Sequence, residues 1–160
     1  MSLTGAESYF EDFTPGDVYE HSRGRTVTEM DNVLITHLTM NTASPHFNLH
    51  MMQGFMGGEF PERLVMGGYT IGLVVGLTSE DISENAVADL GYTNIRLKAP
   101  VFHGDTLYAE SEILRLEESP VRPDCGVVHY RFRGRNQQGV EVVEGERTIL
   151  VKKRAFWTEQ

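Results

Sequence analysis

From about Asp89 onward the chain alternates apolar and polar residues through three long runs, DLGYTNIRLKAPV, DTLYAESEILRLEES and GVVHYRFRGRNQQGVEVVEGERTILVKKR. Successive side chains of a strand point to opposite faces, so this alternation predicts an antiparallel sheet with one buried and one wetted face. Four strands fit the runs, and the last two are joined through RNQQG, where Gly139 can take the positive φ of a hairpin turn. One more strand is expected near Val18 to Arg25. The buried face needs a cover, and GGYTIGLVVGLTSED supplies a helix that is apolar nearly all round. Gly72 and Gly76 lie one turn apart on it. Glycine costs about 1 kcal/mol in a helix relative to alanine, so the pair predicts close approach to a sheet wrapped around this helix. The chain therefore reads as an α+β fold, a curved antiparallel sheet around one long central helix.

With 160 residues there is room for one such domain, spanning 1–160, and not for two comfortable ones. The formal charge of -9 argues against nonspecific nucleic-acid binding, which needs a cationic face to release counterions. Arg131, Arg133 and Arg135 recur every second residue; they fit either a phosphate contact or one solvated strand face. A single cysteine, Cys125, cannot form an intrachain disulfide, and no export signal opens the chain, so a cytoplasmic protein is expected. No apolar run reaches the roughly 18 residues of a membrane span, and no membrane association is expected.

The polar middle carries the chemistry. VTEMDNVLITHLTMNT has Met30, Val33, Leu34 and Leu38 at helical spacing, and Thr28 with Asp31 forms a variant capping box. That helix is expected to end near Asn41. Ser44-Pro45 then reads as the cap and first residue of a new short helix, with His46 in its first turn. There the backbone N–H groups and the helix dipole disfavour a cationic ring and would keep the imidazole neutral, a usable base. On local pattern alone, a surface or hydrogen-bonded structural histidine is the better fit. The following MMQGFMGGEFPERLVMGGY has little periodicity and reads as an irregular, repackable excursion. His46 and His50 are four apart but lack the acid of HExxH and any companion cysteine, so no metal is expected. Cys125 follows RPD in an ordinary loop context, and neither a GxSxG elbow nor a phosphate-cradling glycine pattern occurs.

In order and spacing, FTPGD, GRTVTEMD, NTASPHFN, RLVMGGYT and PVFHGDTLYAESEIL resemble the MaoC-like hot-dog dehydratases, which include the (R)-specific enoyl-CoA hydratases. The likeness runs from about residue 9 to 154 and is nearest the mesaconyl-CoA and β-methylmalyl-CoA hydratase branch. It implies a hot-dog fold, dimerisation sheet to sheet into a homodimer or higher homo-oligomer, and an acyl-CoA thioester as substrate with no separate cofactor. It also implies catalysis by an aspartate and a histidine five residues later, with a backbone N–H before the long helix holding the thioester oxygen. By position these are Asn41, His46 and Gly67.

The family pattern D-x-N-P-x-H reads here N-T-A-S-P-H, so an amide stands where the acid belongs. Asparagine cannot take a proton from water at neutral pH. Three readings follow: His46 acts as the sole acid and base while Asn41 orients the water, a carboxylate such as Glu59 or Glu62 substitutes, or activity has been lost. Arg96, Lys98 and Arg63 are candidates for the coenzyme A phosphates. The implied activity is reversible hydration of a 2-enoyl-CoA to a 3-hydroxyacyl-CoA, with a branched or carboxylated acyl chain in view. A noncatalytic acyl-CoA-binding or partner subunit, and then an acyl-CoA thioesterase, are the alternatives.

Overall fold

The computed structural model of the chain describes residues 8–60 and 62–157. Strands β1 (Val18–Glu20) and β2 (Arg25–Thr26) precede helix α1 (Glu29–Leu38), the short helix α2 (Leu49–Met52) and the central helix α3 (Gly67–Leu77). Four long strands follow, β3 (Ala86–Leu97), β4 (Thr106–Glu118), β5 (Cys125–Arg135) and β6 (Glu141–Lys152), and a last turn of helix, α4 (Arg154–Trp157). All pairings are antiparallel, in the order β1-β4-β5-β6-β3 with β2 also on β4. The strand expected near Val18 to Arg25 is thus two short ones, both paired to β4. The four long strands and the hairpin stand as the alternation predicts, with Gly139 at φ 79°.

Alternation places Leu107, Ala109 and Ile113 of β4 and Val128, Tyr130 and Phe132 of β5 on the concave face, where they pack with Val74 of α3. Burying such side chains stabilises by about 1.5–3 kcal/mol each. The convex face carries Glu110, Glu112, Arg131, Arg133, Glu144 and Glu146 in cross-strand register. Arg133 bonds Glu110 at 2.8 Å and Glu112 at 3.1 Å, and Arg131 bonds Glu112 at 3.1 Å. The three arginines are therefore answered by glutamates of the flanking strands, the solvated-face reading of that run.

The close approach of helix and sheet is real, but it comes from the sheet side. A Cβ on Gly72 or Gly76 would meet nothing within 4 Å, because both lie on the exposed side of α3. A Cβ on Gly134 of β5 would sit 2.4 Å from Val74 Cγ2. Periodicity revealed the glycine pair but not which face of the helix meets the strands.

Helix α1 carries the expected box: the Thr28 side chain accepts from the Asp31 N–H, and Asp31 accepts from the Thr28 N–H at 2.7 Å. Its apolar stripe faces outward, with Met30, Leu34 and Leu38 all more than half exposed, while Asn32 and Thr36 are buried. Asn32 is turned in because its partners are backbone groups of the chain the helix covers, while the Thr36 hydroxyl donates to the Val33 carbonyl of its own helix.

One buried cluster resembles a nucleophilic triad. His21 Nδ1 lies 2.7 Å from Asp81 and its Nε2 lies 2.9 Å from the Ser111 hydroxyl. Ser111 is fully buried, however, so no substrate reaches it; the set clasps β1 and β4 to the turn after α3. His21→Ala is expected to cost about 2 kcal/mol, because it strands a buried hydroxyl and a carboxylate. A lower urea midpoint with unchanged slope would show it.

Candidate active site

Helix α1 ends in a Schellman turn: the Met40 N–H donates to the His37 carbonyl at 3.1 Å and the Asn41 N–H to the Thr36 carbonyl at 2.9 Å. Met40 occupies the left-handed position at φ 53°, where glycine is usual. Asn41 is also a turn former, since its side-chain oxygen accepts the Ala43 N–H at 3.0 Å. Both contacts direct the chain into the next turn.

That turn is a single 3₁₀ turn, Ser44–His46, with Ala43 at its cap and Pro45 second. His46 therefore ends a three-residue turn and does not sit in the first turn of a helix, so the dipole argument for a neutral ring does not apply. Its ring is oriented by another contact. Nδ1 lies 2.9 Å from the Leu64 carbonyl, which can only accept, so Nδ1 carries a proton and, in the neutral ring, Nε2 is the nitrogen that presents a lone pair.

The segment before α3 is pinned residue by residue. Leu64 donates its N–H to the Pro45 carbonyl at 3.0 Å, Val65 to that of Val101 at 2.9 Å, and Met66 to the Asn32 side-chain oxygen at 2.9 Å. Helix α3 then starts at Gly67 with no side-chain cap. The first N–H groups of a helix have no intrahelical acceptor, and Gly67 heads this set, at the first residue of the helix itself.

His46 and Gly67 line one cavity of about 370 Å³ with Leu64, Val65, Thr70 and residues 97–101. Its walls are mainly apolar, and Lys98 is its cation. Lys98 bonds Glu141 at 2.6 Å and Glu144 at 2.9 Å, and these bonds raise its pKa. Asn41 is not among the lining residues. Glu59 and Glu62 open instead on a separate cavity of about 670 Å³ beside His103 and Asp105. Burial, then the charge of Arg63, lowers the His103 pKa. Of the other phosphate candidates, Arg63 is paired with Glu29, and Arg96 lines the cleft on the convex face with Arg131 and Arg133.

A sequence model described as Mesaconyl-CoA hydratase matches residues 4–159. The chain belongs to the mesaconyl-CoA hydratase family. It is 37% identical over 153 residues to a mesaconyl-CoA hydratase of Cereibacter sphaeroides, covering 94% of this chain and 43% of that protein. Identity to a beta-methylmalyl-CoA dehydratase of Chloroflexus aurantiacus is 35% over 131 residues, 82% of this chain and 36% of that one. The crystal structure of a putative MaoC domain protein dehydratase from Chloroflexus aurantiacus superposes with a TM-score of 0.86 at 30% identity, covering 94% of this chain and 46% of that one. The curved sheet around α3 is thus the hot-dog fold of MaoC-like proteins. This family member spans less than half the length of the two curated relatives and of the crystallised chain just named.

Asn32 is the site residue that sequence reasoning missed. It is fully buried and touches both the His46 turn and the segment leading to Gly67. The available signal was slight: an asparagine and a threonine at i and i+4, Asn32 and Thr36, on the side of α1 opposite the apolar stripe.

Proposed function

We propose that this chain is the catalytic unit of an acyl-CoA hydro-lyase that interconverts a 2-enoyl-CoA and a 3-hydroxyacyl-CoA. One observation carries the reading: an imidazole with its proton fixed on Nδ1 shares an apolar cavity with the uncapped N–H of Gly67. In hydration, Nε2 of His46 takes a proton from water as the water oxygen bonds to C3. The electron pair of the double bond moves toward the thioester, and the Gly67 N–H holds the charge developing on its oxygen. His46 then returns the proton to C2, so atoms and charge balance with one acid/base group. A preorganised donor of this kind lowers the barrier by about 3 kcal/mol, and a positioned base adds roughly 10²- to 10⁴-fold. Asn41, which is off the cavity wall, contributes through the turn that leads into His46.

The names of the relatives point to a branched or carboxylated acyl chain, with mesaconyl-CoA the first substrate to try. Lys98, at the same cavity, is the cation on hand for a carboxylate or a phosphate. The unit is expected to act in the cytoplasm, paired with a second hot-dog unit across β3. That strand ends the sheet order, and Leu90, Tyr92, Ile95 and Leu97 stand exposed along it. Among the described residues, no helix is long and apolar enough to cross a membrane.

Incubation with a panel of enoyl-CoAs, following both loss of conjugated absorbance and release of free thiol, tests the reading. Hydration without thiol release is expected. Thiol release would make the protein a thioesterase, and binding without either would make it a noncatalytic acyl-CoA-binding subunit.

A further inference from the structure

We infer that Asn32 is a positioning residue, whose one buried amide locks the His46 turn, the carbonyl that receives the His46 ring proton, and the chain entering Gly67 into a single unit. The inference rests on the hydratase reading of this cavity and adds the part that sets its geometry.

A primary amide offers two hydrogens on nitrogen and two lone pairs on oxygen. Asn32 is fully buried, so its nitrogen and its oxygen must each find a partner within the protein. Its Nδ2 donates to the His46 carbonyl at 2.9 Å and to the Leu64 carbonyl at 3.1 Å. A third neighbour, His103 Nε2, lies farther away at 3.3 Å. The Asn32 oxygen accepts the Met66 N–H at 2.9 Å. These partners also fix which way the amide points, because two carbonyls require the NH₂ and an N–H requires the oxygen.

The Leu64 carbonyl is shared. It accepts from Asn32 and from the Nδ1–H of His46, so the group that selects the His46 tautomer is itself held by Asn32. Met66, on the other side of the amide, is the cap residue of α3, and the next N–H is that of Gly67. Base and oxyanion donor come from segments some twenty positions apart, and Asn32 bonds to both. Helix α1 thus acts as a strut whose single inward amide sets their relation. A displacement of about 1 Å at such a constellation can cost on the order of 10²-fold in rate. No other side-chain type combines two donors and an acceptor at this length. Aspartate has the same shape but would face two carbonyl oxygens with none of the hydrogens.

The test uses Asn32→Asp and Asn32→Ala in the full chain. With the enoyl-CoA that the wild type turns over best, kcat is expected to fall about 100-fold while KM stays within about threefold. A group that merely supports the fold would not show a second signature. In protein labelled with ¹⁵N-histidine, the His46 ring signals, assigned by their loss in His46→Ala, report the Nδ1–H tautomer in the wild type. In folded Asn32→Ala they are expected to move toward a mixture of tautomers. Wild-type kcat in both variants, or a rate loss that follows the unfolded fraction with the tautomer unchanged, would overturn the assignment. The ring signals are readable without turnover, so a wild type inactive on every enoyl-CoA would sink the hydratase reading and leave the tautomer result to decide the role of Asn32.

Discussion

His46→Ala is expected to lower kcat for enoyl-CoA hydration by about 10³-fold while the protein stays folded. Among the described residues that line the His46 and Gly67 cavity, the imidazole is the acid/base group, since Lys98 is held charged by Glu141 and Glu144. Its removal forfeits one hydrogen bond, to the Leu64 carbonyl, worth about 1 kcal/mol. That carbonyl keeps its bond from Asn32, so nothing buried is left unpaired. Asn41→Asp is the informative contrast. A carboxylate can accept the Ala43 N–H as the amide does, so the turn survives, and because residue 41 does not line the cavity the rate is expected to stay near that of the wild type. Initial rates on a single enoyl-CoA, with circular dichroism to confirm folding, separate the two variants. A His46→Ala protein with the wild-type rate would remove His46 from the mechanism.

Gly134→Val should be strongly destabilising, costing about 3 kcal/mol, or roughly 10 °C in Tm. The new Cβ would lie 2.4 Å from Val74 Cγ2 and 2.9 Å from Val143 Cγ1, and both valines are fully buried. Valine has little rotamer freedom with which to yield, so relief requires α3 to lift from β5. That motion also carries Gly67 away from His46, so activity should fall further than stability alone predicts. Thermal unfolding followed by far-ultraviolet circular dichroism reads the first effect, and an unchanged Tm would mean that helix and sheet are less tightly apposed here than the contact distances require.

The sheet, the central helix, the hairpin at Gly139 and the Thr28–Asp31 box were all legible in the sequence, because each is written in residues within a few positions of one another. His46 and Gly67 were legible through the family resemblance, and the fold brings them to one cavity. Asn41 was ambiguous as an isolated letter; its neighbours make it part of a Schellman turn and an Asx turn. The alternative carboxylates Glu59 and Glu62 open on a different cavity, and Asn41 too is off the wall that His46 and Gly67 share.

What the sequence by itself determined was therefore the set of local periods and caps, and with them the class of fold. Tertiary structure alone decided which side of α1 faces inward, which glycine admits the helix, and what holds the imidazole. The bonds of Asn32 span 14, 32 and 34 positions. No hydrophobic period encodes bonds of that kind, because they exist only after the strands have closed and the backbone groups they satisfy have lost their water.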